Sequence, residues 1–140
     1  MAASIVQGAR SKLGNRLPLL VCGGSKGVAL FTNEMKWSSD GITDGRFIFA
    51  GVDNDPDVIF QDAYREFISS KEDGGMVTHY AGKPGGLGMW LVVYAETGVT
   101  ETHNLIQLDS GQIMDLWTVN KPGMTVPANA KLFTSFCTRP

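Results

Sequence analysis

The segment 103–117 constrains the fold of this chain more than any other. Two apolar-rich runs flank a turn that ends at Gly111, a residue able to take the positive φ that a tight hairpin turn needs. We expect the second run, 113–119, to be a strand buried on both faces. The first run carries the polar side chains of His103 and Asn104 into the hairpin. A long hairpin with a polar side chain in one arm is typical of a small curved sheet that lines a pocket.

Composition and charge exclude several classes of protein. A length of 140 residues predicts one domain, 1–140, and a net charge of −2 without a basic stripe gives no support for nucleic-acid binding. The longest uncharged apolar stretch, 17–22, is too short to span a membrane. With only Cys22 and Cys137, we expect no disulfide framework and a cytoplasmic location, and neither cysteine has the His or Cys neighbours of a metal site.

Three segments have helical patterns. A weak apolar stripe predicts a helix over 4–13, and Ser25 can begin a short helix that continues to Met35. Between them, 17–22 fits either a helical layer or a buried extended segment. The clearest helix is predicted over 57–70, with Asp55 as its N-cap. Its buried face is formed by Phe60, Ala63, Tyr64 and Phe67.

One short strand pattern precedes the clearest helix, and four more follow it. The predicted strands cover 46–50, 76–80, 89–96, 99–108 and 112–119. We expect residues 121–140 to form an extended C-terminal tail. Helices followed by a run of antiparallel strands predict an α+β fold, with the helices gathered on one side of a curved sheet.

Four motifs occur in the order of a known family. They are Ala29-Leu30-Phe31-Thr32-Asn33-Glu34-Met35-Lys36-Trp37, Ala63-Tyr64-Arg65-Glu66-Phe67, Thr78-His79-Tyr80 and Asp109-Ser110-Gly111-Gln112-Ile113. In this order they resemble the NTF2-like superfamily, which includes SnoaL-type cyclases, ketosteroid isomerase and scytalone dehydratase. The resemblance spans roughly residues 28–119. It implies a cone-shaped α+β fold that encloses a pocket, and an activity that needs no cofactor.

The same resemblance nominates polar residues for acid–base chemistry. It implies that His79 lies on a pocket strand, where its charge can change near physiological pH, although a histidine bonded near a strand end is the structural alternative. Asn104 falls near the position where ketosteroid isomerase-like members keep an oxyanion-stabilising acid, and it is otherwise a turn-proximal asparagine. His103 would then point the other way, to solvent or to a partner sheet.

Two aspartates are candidates for the partner carboxylate. Asp40 lies near the position of a catalytic aspartate in the family, and an apolar cone would raise its pKa enough for general-base catalysis. The sequence Ser39-Asp40-Gly41 is also an ordinary turn. Asp53 is the rival candidate, because Asp55 already has a role as a helix cap.

Aromatic and hydroxyl side chains are the candidates for substrate binding. Trp90 and Tyr94 share one face of a strand whose other face is also apolar, which predicts helices on one side and a second subunit on the other. The full set is Trp37, Tyr64, Tyr80, Trp90, Tyr94 and Thr102.

From these residues we expect a cofactor-independent isomerase, cyclase or dehydratase. His79 would move the proton, Asp40 or Asp53 would be its partner, and Asn104 would hold the substrate oxygen. The substrate would be a hydrophobic oxygenated molecule such as a polyketide or terpenoid intermediate. The alternative is a non-catalytic ligand-binding or dimerisation module, and in either case we expect a homodimer.

Overall fold

The computed structural model describes residues 2–83, 87–123 and 127–140, and strands dominate them. Strands make up 57% of the chain and helices 8%. The predicted α+β fold, with helices packed on the sheet in an NTF2-like cone, is therefore wrong. The chain forms a mostly antiparallel sheet that curls into a half-barrel. The helix predicted at 4–13 is present as two short pieces, α1 (Ala2–Gly8) and α2 (Arg10–Leu13).

Within the described ranges, nine strands form one sheet in the order β4-β3-β2-β1-β9-β8-β7-β6-β5. Each of the two chain halves supplies a meander of sequential neighbours. We call β1–β4 the N-terminal half and β5–β9 the C-terminal half. The halves join where β1 pairs with β9. The strands are β1 (Pro18–Phe31), β2 (Lys36–Ala50), β3 (Asp57–Gln61), β4 (Phe67–Ser69), β5 (Met76–Tyr80), β6 (Met89–Tyr94), β7 (Val99–Gln107), β8 (Ile113–Lys121) and β9 (Asn129–Thr138).

The apolar side chains lie in two separate clusters on opposite faces of the sheet. The inner cluster fills the half-barrel and includes Phe49, Trp90 and Phe133, all fully buried. The outer cluster packs α1 and α2 against the N-terminal half, with Leu13 and Ile48 at its centre. The helices therefore cover only part of the outer surface, while the inner face holds the main core.

Four of the predicted strands and their closing hairpin are confirmed. β5, β6, β7 and β8 coincide with the predicted segments within two or three residues. The turn between β7 and β8 has Gly111 at φ +88°, and its N–H donates to the carbonyl of Leu108 at 2.9 Å. Burial alternates along these strands with a period of two, although β6 has apolar residues on both faces, and the turn residues match the turn geometry.

The helix predicted over 57–70 is wrong, because this segment is the β3–β4 hairpin. Phe60 packs with the inner cluster and Phe67 with the outer cluster, so residues at helical spacing lie on opposite faces. Buried Asp57 accepts a hydrogen bond from the Ser69 hydroxyl, which ties β3 to β4. Asp55 caps no helix and pairs with Arg16 instead.

The helix predicted from Ser25 to Met35 is also wrong, since most of it belongs to β1. The segment 17–22, left open between two states, enters the same strand. At Gly27, β1 comes so close to β9 that a Cβ atom would collide with the carbonyl oxygen of Leu132. The glycines of this region therefore allow close strand pairing, which the sequence pattern alone did not reveal.

The segment 121–140, predicted to be an extended C-terminal tail, is extended over 129–138, but this part is paired within the sheet. Its residues 129–138 form β9, which lies at the centre of the sheet between β1 and β8. Phe133, Ser135 and Cys137 alternate toward the interior and are buried, as a period of two requires.

The expectation that the cysteines remain free is wrong. Cys22 on β1 and Cys137 on β9 are paired in register and joined by a disulfide, with their Cα atoms 4.0 Å apart. This disulfide links the two halves of the sheet at their junction. Among the described residues, neither helix has the length and apolar character needed to cross a membrane.

Candidate functional site

The best-formed candidate site is a cavity of about 370 Å³ between the two halves of the sheet. β2, β3 and the turn after β3 line it from the N-terminal half, and β7, β8 and β9 line it from the C-terminal half. Most of its wall is apolar and much of that is aromatic. The apolar side chains that we use below are Ile42, Phe47, Phe60, Trp117, Val119 and Phe133.

The floor of this cavity belongs to a row of rings that crosses the C-terminal half. The register of β5 to β9 places one ring from each strand side by side on the inner face: His79, Trp90, His103, Trp117 and Phe133. Trp117 stacks on Phe133 with ring centroids 4.6 Å apart, and its indole N–H donates to the Ser25 hydroxyl at 3.1 Å. Both contacts fix the orientation of the indole that faces the cavity.

In the same row of rings, next to Trp117, a buried histidine lies between two carboxylates. His103 is fully buried, its Nδ1 lies 2.7 Å from Asp115 Oδ2, and its Nε2 lies 3.8 Å from Glu101 Oε2. Burial alone would lower the pKa of His103, but Asp115 and Glu101 outweigh that effect and raise it to about 9. The raised pKa favours the protonated form of His103, while burial also raises the pKa of Asp115 against the opposing effect of His103. Of the three residues, only Glu101 lines the cavity.

The remaining charged groups lie around the cavity and are partly neutralised. Lys131 Nζ lies 2.9 Å from Asp40 Oδ2, and this hydrogen bond holds the pKa of Asp40 below its usual value. Asp62 accepts two backbone N–H groups within its own turn. Arg46 and Lys121 complete the charged lining.

A second hollow adjoins the cavity, and we call it the acidic groove. It has a volume of about 480 Å³ and shares Phe60, Glu101 and Lys121 with the cavity. Tyr94 lies in its wall with a pKa raised to about 12, first by burial and further by the negative charges of nearby residues that include Glu101.

Two of the predicted catalytic residues come together, at a different place. His79 and Asp53 line one hollow of about 350 Å³ just beyond the end of β2. The His79 ring lies 4.5 Å from the Trp90 ring, and its Nε2 is 3.1 Å from the carbonyl oxygen of Leu87. The proposed proton shuttle and one proposed carboxylate therefore share a cavity, and their catalytic roles stay predictions.

The structure does not bring Asp40 or Asn104 to that hollow. Asp40 pairs with Lys131, as described above. Asn104 shares a strand face with Thr102, as predicted, but this is the outer face of β7. The prediction that His103 points to solvent or to a partner sheet is wrong, because His103 lies on the inner face and is fully buried.

The predicted substrate-binding residues are scattered. Trp90 is buried in the inner cluster, and Tyr94 lines the acidic groove. Tyr64, Trp37 and Tyr80 are 87%, 56% and 51% exposed, and none of them lines a cavity described above.

Sequence reasoning missed Glu101, His103 and Asp115 as members of one cluster. A usable signal was present, because Asp115 shares a strand face with Ile113 and Trp117, where period-two alternation leaves an acid among apolar residues. A buried acid needs a partner, and the neighbouring strand offers His103.

Within the ranges that the structure describes, no group of three or more His, Cys, Asp and Glu side chains is placed to hold a metal ion. Comparison of the chain with protein-family models, with curated proteins and with solved structures found no match.

Proposed function

We propose that this protein binds a small apolar molecule in the cavity between the two halves of the sheet. Such a ligand would rest on the aromatic floor and would make its polar contact with Glu101. This is the ligand-binding alternative of the sequence analysis, moved to a site on other residues.

The observation that carries this proposal is the wall composition of the cavity. Phe47, Phe60, Trp117 and Phe133 supply rigid apolar surface, and Glu101, one of two carboxylates in the lining together with Asp62, comes from the strand beside Trp117. Ligand sites are typically concave and apolar, with a few placed polar groups that orient the ligand. Curled β-sheets commonly hold small ligands in this way.

Calorimetric titration with naphthylmethanol tests the proposal. This probe has an aromatic body and one hydroxyl group able to donate to Glu101. We expect saturable one-to-one binding to the wild-type protein, and weaker binding by Val119→Phe, because Val119 lines the cavity and is 4% exposed.

Val28→Phe is the matched control, since Val28 lies on the outer surface of β1 and is 37% exposed. It should bind like the wild type. Absence of binding to the wild type, or equal binding by both variants, contradicts the proposed site.

Acid–base catalysis on a neutral oxygenated molecule of polyketide or terpenoid type is the second candidate function. The observation that favours it is the chain Glu101–His103–Asp115, because it places a carboxyl group that lines the cavity 3.8 Å from a buried imidazole, and such a pair can exchange a proton. A screen for chemically changed ligands would test it. Glu101→Gln should then lower turnover by at least about a hundredfold. The same loss in His79→Ala would place the chemistry at the other hollow.

The compartment in which the protein acts is a further part of the proposal. A cytoplasmic location was the expectation, but a disulfide such as Cys22–Cys137 persists more readily in an oxidising environment. We therefore favour an oxidising compartment. Mass spectrometry of the natively extracted, alkylated protein tests this, and free thiols at both cysteines would overturn it.

A further inference from the structure

We infer that the ligand of this cavity is an amine whose apolar body occupies the cavity and whose ammonium group lies in the acidic groove. The inference rests on the proposed function, because it names the chemical class of the molecule bound at the same site. The inference depends on two observations. The cavity and the acidic groove share lining residues, and the groove has an excess of negative charge that the cavity lacks.

The cavity and the groove are neighbouring hollows that meet at shared lining residues. Phe60, Glu101 and Lys121 line both of them. A molecule seated on the aromatic floor can therefore extend past Glu101 into the groove without leaving the protein surface.

The cavity itself carries balanced charge. Arg46 and Lys121 are matched by Asp62 and Glu101, and Lys131 is paired with Asp40, which lies outside the lining. A balanced and largely apolar space favours the uncharged part of a ligand, because an isolated charge would lose its hydration there.

The groove has an excess of negative charge. Asp73, Glu96 and Glu101 line it, and Lys121 is the cation among its lining residues. The raised pKa of Tyr94 has burial as its largest cause, and Glu101 and Asp73 raise it further, so the phenol senses the local negative potential. Groups of one charge sign in a concave surface concentrate ligands of the opposite sign.

The carboxyl group of Glu101 faces a buried histidine on the inner side of the sheet. The Nε2 atom of fully buried His103 has no hydrogen-bond partner among the described residues, and it faces Glu101 Oε2 at 3.8 Å. Asp115 Oδ2 lies 2.7 Å from the other ring nitrogen, Nδ1. Glu101 therefore lies at the junction of cavity and groove, between a buried histidine on the inside and the space open to a ligand cation on the outside.

Aromatic rings also stand at the junction. Phe60 lines both spaces and Tyr94 lines the groove. A cation close to an aromatic face is attracted by the ring quadrupole. The junction therefore offers an ammonium group both a carboxylate and aromatic surface, a combination that a neutral or anionic ligand does not exploit.

Three probes with the same apolar body test the inference by calorimetry. Naphthylmethylamine is cationic at neutral pH, naphthylmethanol is neutral and naphthoic acid is anionic. We expect the amine to bind about tenfold more tightly than the alcohol, and the acid to bind most weakly. Added salt should reduce the advantage of the amine and leave the alcohol unchanged.

A double variant, Asp73→Asn with Glu96→Gln, locates the effect. It should remove most of the preference for the amine while the affinity for the alcohol stays the same. The matched control is Glu34→Gln with Asp109→Asn, which makes the same change in net charge at two exposed turns. This control should keep the preference.

The outcomes separate the inference from the proposed function. If the alcohol binds and the amine binds no more tightly, the inference is wrong and the proposed function stands. Tightest binding by the acid, or an equal effect of the two double variants, also overturns the inference. If none of the probes binds, the proposed function fails and the inference fails with it.

Discussion

The two halves of the sheet share one interior but differ on their outer surfaces. On the N-terminal half, α1 and α2 bury Val21, Ile48 and Ile59 beneath them. On the C-terminal half, Leu132 and Phe136 lie on the outside of β9 and are 42% and 58% exposed. Among the described residues, helices therefore cover the outer surface of the N-terminal half and leave that of the C-terminal half uncovered.

Because of this difference, we expect the two halves to contribute differently to fold stability and to ligand binding. The helical cover adds a second apolar cluster to the N-terminal half, which also supplies one wall of the cavity. The C-terminal half carries the cluster of buried charges and the row of rings. We therefore expect mutations on the outer surfaces of the two halves to change the free energy of unfolding by different amounts. The following experiments test this expectation and the link between the halves.

The largest expected loss of stability comes from a change at the junction of the two halves. Replacing both cysteines with alanine removes the Cys22–Cys137 disulfide, whose partners are 115 residues apart in sequence. Without the disulfide, the unfolded chain is no longer closed into a loop of this size and gains conformational entropy. This should lower the free energy of unfolding by about 4 kcal/mol. Urea denaturation of the double variant measures this, and a loss below about 1 kcal/mol would contradict the disulfide as the link between the halves.

The next effect compares the two outer surfaces directly. Leu13 in α2 is 1% exposed, so Leu13→Ala should lower the free energy of unfolding by about 3 kcal/mol. Leu132→Ala removes the same atoms from the uncovered half and should cost about 0.5 kcal/mol. Equal losses in the two variants would mean that the outer surfaces do not differ.

A smaller effect depends on pH and originates in the C-terminal half. Because the pKa of His103 is raised to about 9 in the folded protein, its stabilising effect is complete below its unfolded value of 6.5 and disappears as the pH rises through 9. We expect a loss of up to about 3 kcal/mol between these limits. Denaturation curves across this range measure it. Asp115→Asn should flatten the dependence, and an unchanged slope in that variant would contradict the buried pair.

The smallest effect on stability concerns association of the uncovered half. We propose that the predicted homodimer forms through the outer surface of the C-terminal half. Met114 and Leu116 lie on that surface, whereas Trp117 faces the interior. Leu132→Glu should change the free energy of unfolding by less than about 0.5 kcal/mol and abolish the dimer. Sedimentation velocity tests this, and a monomeric wild type would refute the proposal.

Local patterns predicted β5 to β8 well, and they predicted the N-terminal half and β9 badly. Each of β5 to β8 is a short run of strand-forming residues, and Gly111 marks the turn between β7 and β8, so these strands could be identified without their neighbours. Phe60 and Phe67 have helical spacing, and only pairing between strands places them on opposite faces. β9 gains its place from contact with β1, more than 100 residues away in sequence, which no local pattern contains.

The candidate site was predictable only in part. Sequence reasoning expected a pocket with acid–base groups and identified His79 and Asp53, which do share a hollow. It missed Glu101 because the choice of inner face for β7 depended on Asn104 rather than on the alternating buried set. Once the inner face is known, His103 and Asp115 follow from the register of β7 and β8.

The three tryptophans allow the most direct test of the cavity between the halves. Trp117 lines the cavity, Trp90 is buried in the core and Trp37 is 56% exposed on β2. Each indole N–H gives its own cross-peak in a nitrogen–proton correlation spectrum, which can be followed while naphthylmethanol is added. Our account predicts a large saturable shift of the Trp117 cross-peak and none at Trp37. A shift at Trp37 with Trp117 unchanged would contradict it.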